Sequence, residues 1–449
     1  MKFLLIIVFV LLSLLSFNTY AAAPKHLVFL IHGIAAGPST FGQMEKTLRK
    51  EAKNLGGKTD YQIHSFSYET GNYNKNVTIF SRELSDFIAK KFLEAGGLNP
   101  EDKYSLIMHS QGGLVGLNFL IKSYTGVEEY HPELQGHIDA FITLGTPYWG
   151  AKIAIFANRI VPILSYLNIP ILEELLQRFG QEELTDMELA SDFSAEMRRF
   201  FTDKENFDIV KRIKNDTRFL IYSGVTERLN ILAPFTTGKN RYEDDTAVPI
   251  PSSKLDFIYY VDSDLYHPDS VGVLSFKETN IVNNDNYVVV NAFHSSPFPQ
   301  KSKYPGIAKV PDRCVDISFR DCDHPTYPGV VEHLLGLERD PAFIRDLMSF
   351  AIDLKINTKG EEINRKKLTL SFKALTSGLT IGKEGELYNR VGRWTSSGDY
   401  RLYHTGYIDS KKTSTLLGRV ELTISLPGFR ERKLTVPVKT TMSTFIVLL

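Results

Sequence analysis

Around position 110 the chain reads Tyr104-Ser105-Leu106-Ile107-Met108-His109-Ser110-Gln111-Gly112-Gly113, an apolar run that ends in a serine and two glycines. A strand that turns sharply into a helix holds such a serine in a strained conformation at the tip, with its hydroxyl exposed at the carboxyl edge of a sheet. Small residues must flank the serine because the strand and helix backbones nearly touch there. Gly112 meets that need two positions after Ser110, whereas Met108 stands two positions before it and needs room beside the crossing helix. The N–H of Gln111 points where negative charge develops on an attacked carbonyl oxygen. The chemistry written here is nucleophilic attack by a serine hydroxyl on an acyl carbon.

A second element supports the first. The run Leu27-Val28-Phe29-Leu30-Ile31 leads directly into His32-Gly33-Ile34-Ala35-Ala36-Gly37. A glycine loop after an early strand is where a second oxyanion donor belongs, here the N–H of Ile34. His32 is read as a structural histidine, because a general base is expected late in the chain.

The elements that must position these groups alternate. Leu27–Ile31, Ile63–Tyr68, Tyr104–Met108, Phe141–Leu144 and Arg218–Gly224 are short apolar runs of the kind buried on both faces of a parallel sheet. Phe41–Leu55, Ile79–Leu93 and Leu114–Ile121 carry apolar residues at helical spacing between them. This is an α/β pattern, a mostly parallel sheet covered by helices. Between about 151 and 215 the alternation stops, and the strongly apolar Ile153–Leu175 and amphipathic Leu184–Phe201 read as a helical cap inserted over the active face. From 358 to 449 short alternating runs punctuated by glycines (Lys367–Leu375, Arg419–Leu426, Lys433–Thr440, Ser443–Leu449) predict a C-terminal all-β domain.

Lys2, the apolar run from Phe3 to Phe17 and Ala21-Ala22-Ala23 are the three parts of a secretory signal peptide over residues 1–23, with an uncleaved anchor as the alternative. Export then places the mature chain, with its catalytic domain at 24–357, outside the cytoplasm as a periplasmic or secreted protein. Cys314 and Cys322 are the two cysteines, and in an oxidising compartment they are expected to close a small disulfide loop, with a pair of unlinked structural thiols as the alternative. Without a neighbouring histidine cluster they do not make a zinc site. The formal net charge of the 449 residues is zero, which gives no reason to expect a nucleic-acid partner.

His32-Gly33 after a strand, Met108-His109-Ser110-Gln111-Gly112-Gly113 and Leu144-Gly145-Thr146-Pro147-Tyr148-Trp149-Gly150 resemble the corresponding motifs of α/β-hydrolase-fold lipases and esterases. Asp245-Thr246-Ala247-Val248-Pro249-Ile250-Pro251-Ser252-Ser253 is similar to the lipase segment in which an acidic residue precedes Val-Pro and a serine pair. The resemblance runs from Lys25 to about Leu354 and leaves out the C-terminal β region. It implies an α/β-hydrolase fold and a triad in the order serine, acid, histidine. By match to the Val-Pro element the acid is Asp245, with Asp244 as its competitor.

Five histidines follow the acid. His404 falls in the β region and His267 before the next good strand, so His294, His324 and His333 remain. His294 follows the strand Tyr287–Val290, and His324 sits in a loop that Cys322 can staple. Asp340-Pro341 reads as the start of a last helix, Pro341–Ile352. His333 just upstream resembles the family's arrangement and is the favoured base, unless Val330–Leu337 is itself helical.

The implied activity is two-step acyl transfer on carboxylic esters of lipid-like substrates, with transient contact with a lipid surface and neither metal nor organic cofactor. Acyl transfer to an alcohol, phospholipid hydrolysis on the same triad, and a non-catalytic lipid- or partner-binding protein that kept the fold are the rival readings.

Overall fold

The computed structural model describes residues 23–151, 180–225, 244–255, 286–295 and 305–338 with few breaks, and beyond them a set of β-strands. The signal segment up to residue 22 and the apolar stretch 155–179 of the expected cap lie outside the described residues.

The N-terminal part runs β1 (Lys25–Ile31), α1 (Met44–Leu55), β2 (Asp60–Phe66), α2 (Val77–Glu94), β3 (Lys103–His109), α3 (Gln111–Tyr124), β4 (Ile138–Leu144), α4 (Gln181–Met187), α5 (Asp192–Phe200), α6 (Phe207–Asp216) and β5 (Arg218–Val225). It continues through β6 (Ile258–Asp262), β7 (Leu274–Glu278), β8 (Tyr287–Asn291) and α7 (Tyr327–Leu335). Six of these strands form one parallel sheet in the order β2-β1-β3-β4-β5-β8. The alternation of side chains along β1 assigns its faces. Leu27, Phe29 and Ile31 pack into a core shared with α2 and α3, while Val28 and Leu30 pack into a second core with Met44 and Leu48 of α1 and Val330, Val331 and Leu334 of α7. Both faces are therefore covered, as the apolar runs require.

Chain order reverses between β1 and β3. β2 lies on one side of β1 and β3 on the other, so the carboxyl ends of β1 and β3 open side by side into a crevice, with Ile31 paired to Met108. Helix α3 then crosses back over this pair and is buried along nearly its whole length. The misfit expected of Met108 is solved one turn into that helix. A Cβ on Gly116 would stand 2.1 Å from the Met108 sulfur, so the missing side chain is the space Met108 fills.

Of the cap, α4, α5 and α6 are described. α4 docks on the loop before α2 through two carboxylates on one face: Glu183 accepts the N–H of Gly71, and Asp186 accepts the N–H of Val77. α6 packs beside α3, with the Tyr124 hydroxyl donating to Asp216. Among the described residues no helix is long and apolar enough to cross a membrane.

The remaining strands are β9 (Met348–Ile356), β10 (Thr369–Ala374), β11 (Thr380–Ile381), β12 (Leu387–Trp394), β13 (Tyr400–Ile408), β14 (Gly418–Ser425), β15 (Arg432–Val438) and β16 (Ser443–Leu448). They make a four-stranded sheet, β11-β10-β14-β15, and a six-stranded one, β12-β13-β9-β16-β6-β7. One correction and one addition follow. The helix expected over Pro341–Ile352 is, where described from Met348 on, strand β9, paired on both sides. Strands β6 and β7, which follow the Val-Pro element in the chain, belong to this six-stranded sheet and not to the parallel one, because β16 pairs parallel with β6 and β7 pairs with β6.

Two measurements probe this framework. Gly116→Ala forces a methyl onto the Met108 sulfur and is expected to cost about 1–3 kcal/mol in denaturant unfolding, with Met108→Ala in the same chain restoring part of the loss. Burial is the first cause that holds Asp186 up at about 6, above its ordinary value of 3.8. Folding then takes up a proton between those two values, and this contribution is lost as pH rises through them. Relative to Asp186→Asn, the wild type should lose thermal stability between pH 4 and 6 and hold a constant difference above 7; a difference flat across that range would refute the assignment.

Candidate active site

Ser110 stands between β3 and α3 with φ 55 and ψ −126, a left-handed backbone on a residue with a side chain. Such a conformation costs about 1–3 kcal/mol and persists only where the surroundings impose it. They do so by close approach. A Cβ on Gly33 would lie 2.7 Å from the Ser110 Cβ, one on Gly112 would lie 2.5 Å from the carbonyl oxygens of Ile31 and His32, and one on Gly113 would strike Thr146. The loop after β1 is thus pressed against the serine, which is the contact the His32-Gly33 pattern leads one to expect.

The histidine facing Ser110 is His294. Its Nε2 lies 2.8 Å from Ser110 Oγ, and its Nδ1 lies 2.7 Å from Asp245 Oδ2. A carboxylate accepts only, so Nδ1 carries the hydrogen and donates to Asp245; Nε2 is then bare and accepts the Ser110 O–H. Asp245 is fully buried, and its other oxygen accepts the N–H groups of Ala247 and Val248 at 3.1 and 2.8 Å. The backbone adds a further tie, with the N–H of His294 donating to the Asp245 carbonyl at 2.7 Å. Gly145 of the Leu-Gly-Thr-Pro element lies under the pair at φ 66, where a Cβ would stand 2.8 Å from Asp245 Oδ2 and 3.1 Å from His294 Nδ1. Asp244 turns the other way and caps the N–H of Thr246 at 2.8 Å.

His333, favoured from its position in the chain, is not at this site. It lies inside helix α7 rather than on a loop, and its Nε2 lies 3.1 Å from the carbonyl of Arg218, the first residue of β5. Arg218 is level with Ala140, which is level with Ser105 of β3. That is five residues before Ser110, about 16 Å away along a strand at roughly 3.3 Å per residue. His324 is also excluded from it. Buried beside the Cys314–Cys322 disulfide, it lies 3.1 Å from the Gly306 carbonyl and accepts from Thr326 ahead of α7, and burial pushes its pKa down to about 4. The helix that contains His333 begins six residues before it, at Tyr327, so Val330–Leu335 is helical, as the alternative reading of that segment had it.

His109 was not singled out from the sequence. Its ring lies 4.7 Å from the His294 ring, and its Nε2–H donates to the His294 carbonyl at 2.9 Å. Full burial, then the neighbouring His294, push its pKa down to about 3, so it stays neutral and holds the backbone that carries His294. On the other side, the Tyr68 ring stacks on His32 at 4.5 Å and its hydroxyl reaches the His32 carbonyl at 2.7 Å.

The Nδ1–H to carboxylate bond should appear as a strongly deshielded proton in the NMR spectrum. Asp245→Asn is expected to abolish that resonance and Asp244→Asn to keep it; the reverse pattern would assign the acid to Asp244.

Residues 21–240 match the family model described as "Putative serine esterase (DUF676)", a span that includes Gly33 and Ser110 and stops short of Asp245 and His294. No curated protein matches the sequence. Among solved structures, phospholipase PlaB from Legionella pneumophila superposes with a TM-score of 0.61 at 13% identity, over 94% of this chain and 93% of that one. The same phospholipase in complex with thio-NAD gives 0.60 at 14% identity over the same shares. At these identities the likeness is one of fold, and it extends over both the parallel sheet and the C-terminal strands. The chain has the α/β-hydrolase fold, and over its first half it is similar to the serine esterase family.

Proposed function

We propose that the protein is an exported serine hydrolase that cleaves carboxylic esters of lipid-like substrates, with Ser110 as nucleophile, His294 as base and Asp245 as the acid that orients it. The observation that carries this reading is the unbroken chain Asp245–His294–Ser110, with both links at hydrogen-bond length. His294 Nε2 takes the Ser110 proton as Oγ attacks the ester carbonyl, and the oxyanion is held by the N–H groups of Ile34 and Gln111. Gln111 opens α3, so its N–H has no acceptor within the helix, and Ile34 follows Gly33, which touches Ser110. The imidazolium then protonates the leaving alkoxide, and water, deprotonated by His294, releases the acyl group as a carboxylic acid.

The serine esterase model supports ester hydrolysis, and the whole-length likeness in fold to a phospholipase supports a lipid substrate. Export is supported by the signal-like N-terminus and by the disulfide, which persists in an oxidising compartment.

The test is turnover of short- and long-chain p-nitrophenyl esters and of phospholipid vesicles. Ser110→Ala and His294→Ala should each lower kcat by about 10⁴ or more, while His333→Ala should leave it within about twofold. Turnover that survives Ser110→Ala would sink the reading. An added alcohol that diverts the acyl group into a new ester would make the enzyme an acyltransferase on the same triad.

A further inference from the structure

The side chain of Gln111 is held from two sides. Its Nε2 lies 2.9 Å from Glu183 Oε2, and its Oε1 lies 3.0 Å from the Tyr68 hydroxyl, which is also 2.7 Å from the carbonyl of His32. Glu183 is fully buried on α4 and accepts the N–H of Gly71 at its other oxygen. One chain of contacts, Glu183–Gln111–Tyr68–His32, therefore runs from the cap helix to the ends of α3 and β1, the two places that carry the oxyanion donors. Resting on the serine-hydrolase reading above, we propose that Glu183 is a positioning residue of the oxyanion hole, and that it works in its protonated form.

Proton counting supports the protonated form. A tyrosine has one hydroxyl hydrogen and an amide has a donor end and an acceptor end. With Glu183 ionised, Gln111 Nε2 donates to it, Oε1 faces Tyr68, and the single Tyr68 proton is left with two acceptors. With Glu183 neutral and the amide turned over, Glu183 donates to Gln111 Oε1, Gln111 Nε2 donates to the Tyr68 oxygen, and the Tyr68 proton goes wholly to the His32 carbonyl. Only the second arrangement gives every buried group one partner, which is what a buried polar network needs. The groups facing Glu183 agree. They are Tyr68 from the loop after β2, with neutral His32 stacked behind it, and Asp186 one turn on along α4, whose charge opposes a second one nearby. Burial is the first cause that pushes Glu183 up to about 7, ahead of the lowering effect of its N–H partners. A neutral Glu183 also keeps negative charge away from a site that must stabilise an oxyanion.

Glu183→Gln is a mimic of the neutral form, since its amide donates to Gln111 Oε1 while its carbonyl accepts from Gly71. It should keep kcat within about twofold of wild type at pH 6 and should not share the wild type's decline as pH rises through 7. Glu183→Ala should lower kcat by about tenfold to a hundredfold with KM within twofold. In a Gln111→Ala background it should cost nothing further, because its effect passes through that side chain. Melting temperatures separate misfolding from misplacement, and Tyr68→Phe, which breaks the chain at its other end, replaces Glu183→Ala if that variant does not fold. A Glu183→Gln variant as impaired as Glu183→Ala, or an equal loss with and without Gln111, would overturn the proposal while leaving the triad intact. Turnover that survives Ser110→Ala would overturn the triad and this inference together.

Discussion

Everything in this site depends on how closely the chain crosses itself at Ser110. Strand β3 ends and α3 begins within one residue, and that residue is held in a left-handed conformation that a side chain disfavours. The compensation is steric. The loop after β1 leaves no room for a Cβ at Gly33, and the start of α3 leaves none at Gly112 or Gly113. Ser110 is pinned because its neighbours have been shaved down until backbone touches backbone. The same closeness brings the first N–H of α3 and the loop after β1 to one point, so strain at Ser110 and the placing of the proposed oxyanion donors have a single cause.

The second requirement is that polar groups so deeply buried keep partners. Asp245, with none of its surface exposed, is tied by two backbone N–H groups and by His294. An unpaired carboxylate in this position would be expensive, since a buried charge without hydrogen bonds costs several kcal/mol. Buried histidines are kept neutral as well: burial lowers His109 and His32 beside the site and His324 away from it, and each serves as a hydrogen-bond strut. A neutral His109 places no competing positive charge beside His294, the base of the proposed triad.

The third feature is an excursion. Asp245 and His294 are hydrogen-bonded side chain to side chain and backbone to backbone, yet the chain between them contributes β6 and β7 to the second large sheet. That excursion is closed at its base by Asp245 and His294, the acid and base of the proposed triad. The C-terminal strands are joined to it, because β16 pairs with β6 and β9 lies on its other side. A deletion of the chain after residue 358 would therefore remove the neighbour of β6 as well as the C-terminal strands.

Local sequence was enough wherever the determinant was local. The parallel strands followed from apolar runs buried on both faces, the sharp turn at Ser110 from the glycines after it, and the choice of Asp245 as candidate acid from the Val-Pro segment that supplies its N–H partners. The tertiary structure alone decided the rest. His294, His324 and His333 all follow apolar stretches and differ in no local property that marks a base; what separates them is which edge of the sheet each reaches, and that depends on where β8 and α7 dock. Met108 read as a misfit because its compensation, the absent side chain of Gly116, lies in a different element. Met348–Ile352 satisfied a helical pattern but became β9, since β13 and β16 offered it hydrogen bonds on both edges. Glu183 carries no motif at all. Its place beside Gln111 comes from the docking of α4, a contact between residues far apart in sequence that no spacing along the chain encodes.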